Sequence, residues 1–362
     1  MKFFAAFFGF LVLAAAGCSA AGDPASAPEK EKFVRLFGWG GASAKEEDMR
    51  RFAEAGVTDI LVPNEKAFRL AVKYGMRPYW KYFTPEGPRR QVMTPGEETI
   101  YSYLSGKDLA RKLPRAEKKK IIDRRRIEKN YQYGGESPDT QPLCAEIKCF
   151  LSDEDLALSR KKLDSILDSA PEGTAGICLD YFGYMNNHGC YCESCLRKYR
   201  KYLEDKKLAD TQKNRDIFYR DRILEYYGRI IGYIRQKRPG FKIVLHVYPD
   251  FKPEHLYGQR IDADLCGQTV AWYFPWDAEK IRQYTRFVVN HSKDHHPGAE
   301  GIPFLGINTN PQSSLKCKSP ETVEREMKEI LSAGGRTLMV CNGRAIIEPG
   351  YFEVFRKYCG KK

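Results

Sequence analysis

Beyond its first seventeen residues, the 362-residue chain has no second long apolar run. Nothing after that point therefore reads as a transmembrane helix. The chain also lacks a glycine-rich phosphate loop, a dinucleotide fingerprint and a Ser/His/Asp signature, so NAD or ATP chemistry has nothing to rest on. Histidine is scarce, with six in all. His291, His295 and His296 fall in a stretch rich in Lys, Asp and Pro. Adjacent histidines do not share a helical face, so these read as a surface loop.

What is present begins with MKFFAAFFGFLVLAAAG, residues 1–17. One Lys, an apolar core and then small residues make a secretory signal peptide. Cys18 follows Ala15-Ala16-Gly17, which resembles a bacterial lipobox, with Ala15 standing where Leu is more usual. The resemblance implies cleavage before Cys18, diacylglycerol on its sulfur and acylation of the new amino group. The alternative is an ordinary signal cut after one of the alanines. Three acyl chains would anchor the protein stably, whereas one binds only marginally. Ser19, rather than Asp, implies the outer membrane within the cell envelope. Residues 18–32 are small, polar and proline-bearing, the composition of a flexible tether.

The formal charge of +13 is concentrated rather than spread: residues 107–129 hold eleven Lys or Arg against four acids. On an exported chain this argues against nucleic acid as partner. Lipid headgroups, anionic glycans or a solvated helical face are the readings that fit.

After the tether, strand-like and helix-like patterns alternate, the signature of a parallel α/β fold. Strands are expected at 33–37, 57–62, 77–82, 177–179, 242–248, 268–273, 303–307 and 337–340. Ser43 with Glu46 reads as a capping box, and Asn64, Ser152, Asp277 and Ser319 stand at further helix starts. Eight such units predict a (β/α)8 TIM barrel over 33–360, with an open doubly wound sheet as the rival. The rhythm breaks once, at 84–150 after strand three. An insertion of that length is either a lid over the active face or a decoration.

In such barrels the residues just past each strand line the site. They are Trp39, Asn64 and Glu65, Trp80 and Tyr82, Asp180 and Tyr181, Tyr248 and Asp250, Trp272 and Tyr273, Asn308, and Asn342. Aromatic faces with Asn and Asp edges suit a sugar, because rings stack on C–H faces while amides and carboxylates take hydroxyls. Aromatics also fill cores, so the same residues have a structural reading.

LFGWGGAS, FAEAGVTDILVP, GICLDYFGY and the following GCYCESCLRKY together resemble the hypothetical glycoside-hydrolase barrels of bacteria. These are distant relatives of the amylase and galactosidase superfamily. The resemblance covers nearly all of residues 33–355, and its most specific part is the Asp strand joined to the CxCxxC helix. It implies a glycan substrate or ligand and O-glycosidic hydrolysis, for which no cofactor is required. That chemistry needs two carboxyl groups. Asp180 is the expected nucleophile or base, and Asp250, Asp277 and Glu65 are candidates for the second. The ends of strands seven and eight carry Asn308 and Asn342 instead of acids. This departs from the common scheme of glutamates after strands four and seven. A non-catalytic glycan-binding barrel that keeps Trp39, Trp80 and Trp272 is therefore the alternative.

Besides Cys18, ten cysteines remain. Cys190, Cys192 and Cys195 place three thiolates within reach of one ion, and Cys144 or Cys149 would complete a tetrahedral structural zinc site. Disulfides, which export permits, and free buried thiols are the other readings.

Overall fold

The computed structural model describes residues 32–360 apart from 88–89, 92–113, 115, 118–119, 121–145, 181–182, 185–188, 191, 248–253, 255, 273–275, 292–294 and 311–316. Eight parallel strands close into a barrel in sequence order. They are β1 (Arg35–Gly38), β2 (Asp59–Val62), β3 (Arg77–Phe83), β4 (Gly176–Asp180), β5 (Lys242–Val247), β6 (Leu265–Ala271), β7 (Glu300–Gly306) and β8 (Thr337–Cys341). Outside them lie α1 (Glu46–Glu54), α2 (Glu65–Lys73), α3 (Asp153–Asp168), α4 (Glu193–Lys206) and α5 (Gln212–Lys237). The outer layer is completed by α6 (Ala278–Val289), α7 (Pro320–Ser332) and α8 (Tyr351–Cys359). The barrel expectation holds and the open sheet is excluded.

Most strand residues are buried on both faces, with Lys81 and Tyr82 on β3 exposed, which is why most strands read as apolar runs. Alternation then sorts the side chains. Phe37, Leu61, Tyr79, Cys178, Val244, Leu265, Ile302, Phe304 and Met339 fill the lumen. Their strand neighbours, such as Leu36, Ile60, Ile177, Ile243 and Leu338, pack under the helices. The helices start where their caps are. Asn64, Ser152, Asp277 and Ser319 accept backbone N–H groups three residues on, satisfying donors the helix cannot use.

Three expectations need correction. The Ser43–Glu46 capping box does not form: Lys45 is the N-cap of α1, and Ser43 Oγ accepts from Lys45 N in a local turn instead. Strand six begins three residues earlier than its aromatic end suggested, at Leu265. His291 is buried rather than on a surface loop, stacked on His295 at 4.3 Å, with Gln259 Oε1 2.9 Å from its Nδ1. At the insertion the chain leaves after Phe83, and Arg90–Gln91 pairs antiparallel with Glu146–Ile147 on its return. The lid reading and most of the basic segment fall outside the described residues, as do the signal peptide, Cys18 and the tether up to residue 31.

Candidate functional site

Strand alternation decides which strand-end residues reach the open, carboxyl-terminal mouth. On β4, Cys178 points inward and Leu179 outward, so Asp180 takes the lumen side at the last position. On β5, Val244 is inside and Leu245 outside, and His246 follows the same parity inward. The parallel register sets Asp180 beside His246. Their side chains meet, His246 Nδ1 lying 3.1 Å from Asp180 Oδ1. On its other edge, His246 Nε2 is 3.2 Å from the hydroxyl of Thr269 on β6.

Aromatic rings hold this line of polar atoms. The imidazole stacks on Phe304 with centroids 3.7 Å apart and planes 18° from parallel. Trp272 lies 5.8 Å away at 25° and Trp39 5.8 Å away at 58°. A Cβ at Gly306 would fall 2.7 Å from the Trp272 ring, so glycine there leaves room for the indole beside the mouth. His246 is 1% exposed, while the Asp180 side chain keeps 24% of its surface open. A partly open carboxylate beside an imidazole that two indoles flank is an arrangement that can meet a polar ring-bearing ligand.

Of the residues anticipated from sequence, Trp39, Asp180 and Trp272 come together here. Trp80 does not. Tyr79 takes the lumen side of β3, so Trp80 faces the helices, where it is buried edge-on against Phe68 and donates Nε1–H to Ser169 Oγ at 3.2 Å. Tyr82, beyond a register shift in β3, is exposed. Glu65 opens α2 and is ion-paired to Arg69 on the exposed helix surface. Asp277 is the N-cap of α6, its carboxylate accepting Lys280 N–H at 2.8 Å. Both acids are thus engaged by their own helices rather than brought to Asp180. Asn308 closes a turn with Asn310. Asn342, which follows a cis Cys341–Asn342 peptide bond, accepts from Arg344 N at 3.0 Å. Tyr181, Tyr248, Tyr273, Asp250 and Cys144 lie outside the described residues. His246 and Thr269 were missed by sequence reasoning. The apolar run of strand five hid the histidine, although its parity with Val244 was the available signal.

A second constellation is built from the segments that lead into α3 and α4. Cys149, Cys190, Cys192 and Cys195 bring their sulfurs within 4.8 Å of one another. Cys149 and Cys192 each lie 3.4 Å from Cys195. No disulfide joins these four to one another, and among the described residues Cys149 completes the set. Cys192 is the N-cap of α4, and Cys195 sits in that helix's first turn. Tyr219 donates its hydroxyl to Cys190 O at 2.6 Å, and a Cβ at Gly189 would strike the Tyr219 ring at 2.3 Å. The Cys149 thiol is the main influence pushing both the Cys190 and Cys195 thiols well up, with burial adding to it. Zinc–sulfur bonds of about 2.3 Å in a tetrahedron put sulfurs about 3.8 Å apart. The observed cluster fits that spacing.

No protein-family model and no curated protein matches the chain. Solved structures do. A β-galactosidase from the Antarctic haloarchaeon Halorubrum lacusprofundi is similar with a TM-score of 0.50 at 14% identity, over 86% of this chain and 52% of that one. The α-L-fucosidase isoenzyme 2 of Paenibacillus thiaminolyticus is similar with a TM-score of 0.50 at 13% identity, over 89% and 49%. A catalytic mutant of a β-galactosidase from G. stearothermophilus matches with a TM-score of 0.50 at 10% identity, over 91% and 56%. The chain spans about half the length of these structures. Identity this low speaks to architecture, and the architecture is that of the (β/α)8 TIM barrel these hydrolases share with it.

Proposed function

We propose that the chain hydrolyses O-glycosidic bonds of a glycan, with Asp180 as nucleophile or base at the mouth of the barrel. The observation that carries this reading is Asp180 itself: an inward, partly open carboxylate beside His246, whose ring has Trp39 and Trp272 each 5.8 Å away. The barrel likeness to solved β-galactosidases and an α-L-fucosidase supports it. Asp250 is the proposed second carboxyl, since Glu65 and Asp277 serve their own helices. The same engagement of Glu65 and Asp277 favours a second reading, a glycan-binding barrel without turnover. A panel of aryl glycosides and polysaccharides decides between them. Turnover by residues 19–362 that Asp180→Asn removes establishes the hydrolase. Turnover that survives the substitution excludes Asp180 from the chemistry, and retention of glycans without turnover favours binding.

Attachment to the outer membrane of the cell envelope through lipidated Cys18 belongs to the same proposal. Cys18→Ala is expected to move the protein from the membrane fraction to the soluble one.

The cysteine cluster is proposed to hold a structural zinc through Cys149, Cys190, Cys192 and Cys195. Four thiolates leave the ion no open position, so it would fasten the loop before α3 to the start of α4 rather than take part in hydrolysis. The purified protein is expected to carry about one zinc per chain, and its removal to lower Tm by more than about 5 °C. Full stability in the metal-free protein would remove the ion from the fold.

A further inference from the structure

The proton inventory around His246 assigns a state to Asp180, and the assignment rests on the proposed hydrolytic reading only for its consequence. Thr269 is fully buried, and its hydroxyl has one hydrogen-bond partner among the described residues, His246 Nε2. A buried hydroxyl hydrogen without an acceptor is costly. Three arrangements of the Asp180–His246–Thr269 line can be compared. If the imidazole is charged, both nitrogens donate, Thr269 can only accept, and its own hydrogen has nowhere to go. If Nε2 alone carries the proton, Thr269 is stranded in the same way. The Nδ1 lone pair then faces Asp180 Oδ1 at 3.1 Å, which demands a protonated carboxyl. If Nδ1 carries the proton, every group is satisfied: Thr269 donates to Nε2, and Nδ1–H donates to an ionised Asp180.

We propose that His246 is a positioning residue, held neutral with its proton on Nδ1, which occupies Oδ1 of an ionised Asp180 and leaves Oδ2 as the oxygen offered to a glycan. The stack on Phe304 and the Thr269 hydroxyl fix the ring plane and its rotation. The carboxylate is therefore oriented by β5, β6 and β7 as well as by its own strand. Asp180 then works in its charged form, as nucleophile or base, and the proton donor of the reaction is a different group.

The first test needs no substrate. Full-length protein with ¹⁵N-labelled histidine is compared with His246→Asn, which identifies the His246 signals by their loss. At neutral pH, one imidazole with a protonated Nδ1 and an unprotonated Nε2 is expected, and Thr269→Val should move the Nε2 signal far more than the Nδ1 signal. Protons on both nitrogens, or on Nε2 alone, would overturn the assignment. The second test uses whichever glycoside the wild type turns over. His246→Phe keeps the stack but removes the donor, and it should lower kcat about 100-fold with KM within about twofold. His246→Asn, which returns an N–H close to Nδ1, should recover most of that loss. Equal losses in both variants, or a loss confined to KM, would refute positioning through Nδ1. Absence of wild-type turnover beside the expected tautomer would sink the hydrolase reading while leaving the proton assignment standing.

Discussion

At the amino-terminal end of the barrel, Asp59 is fully buried and surrounded by partners. Arg77 Nη2 is 2.6 Å away, Arg35 Nε 3.6 Å and the Thr58 hydroxyl 2.7 Å. Arg35 also pairs with Glu300, and Asp264 accepts Ile243 N–H at 3.0 Å. At the opposite end Asp180 meets no Lys or Arg among the described residues, only His246. The two ends bury carboxylates with opposite economy of charge. Neutralised charge at the floor of a barrel holds strands together, whereas a carboxylate left with a hydrogen-bond donor keeps its charge available.

The largest test of that contrast exchanges the consequences of one substitution. Asp59→Asn removes the charge that both Arg35 and Arg77 face, and it should lower unfolding free energy by about 3 kcal/mol in denaturant melts. Hydrolysis per folded molecule should not change. Asp180→Asn should do the reverse, costing less than about 1 kcal/mol of stability and on the order of 10³-fold in kcat. Similar stability losses at both positions would mean that the mouth carboxylate is structural as well.

Two tryptophans repeat the contrast at one remove. Trp80 is buried among the helices, where Trp80→Ala should cost about 3–5 kcal/mol and leave KM unchanged. Trp272 is only half-buried beside His246. Trp272→Ala should cost about 1–2 kcal/mol in stability and raise KM about tenfold for any glycan turned over. An unchanged KM in the Trp272 variant would remove the indole from the ligand wall.

Those two residues also show what could be read from the chain. Trp272 stands just past β6 whereas Trp80 sits in the middle of β3. Hydropathy and turn residues place both near a strand, so the barrel, its eight strands and the place of Asp180 at a strand end were legible. Which face a strand-end residue takes depends on parity along the strand, and a register shift or strand start misjudged by a residue inverts it. Trp80 follows Tyr79 inward-outward and goes to the helices; nothing in composition distinguishes it from Trp39. His246 was hidden for the converse reason, being a polar residue inside an apolar run whose partners, Asp180 and Thr269, lie 66 and 23 residues away. The thiol cluster was half legible. CxCxxC is local, but its fourth sulfur comes from the end of the insertion, beyond α3 and β4, where spacing gives no choice between Cys144 and Cys149.

The smallest effect concerns charge on the outer layer, where pairing should matter least. Glu324 on α7 accepts from Lys357 Nζ at 2.7 Å and the Tyr358 hydroxyl at 2.8 Å, both on α8, with Lys328 at 3.2 Å. The Lys357 and Tyr358 hydrogen bonds, foremost, hold its carboxyl down to about 2, against an ordinary value of 4.5. A folded value below the unfolded one contributes stability that is complete above pH about 4.5 and fades as pH falls toward about 2. The group is partly solvated, so its share is about 1 kcal/mol rather than the full linkage value. Glu324→Gln should therefore lower stability by about that amount at pH 7 and by almost nothing at pH 2, measured in urea melts at both. A larger difference at pH 7 would show that α8 depends on surface pairing, and the gradient from floor to mouth to outer face would lose its lowest step.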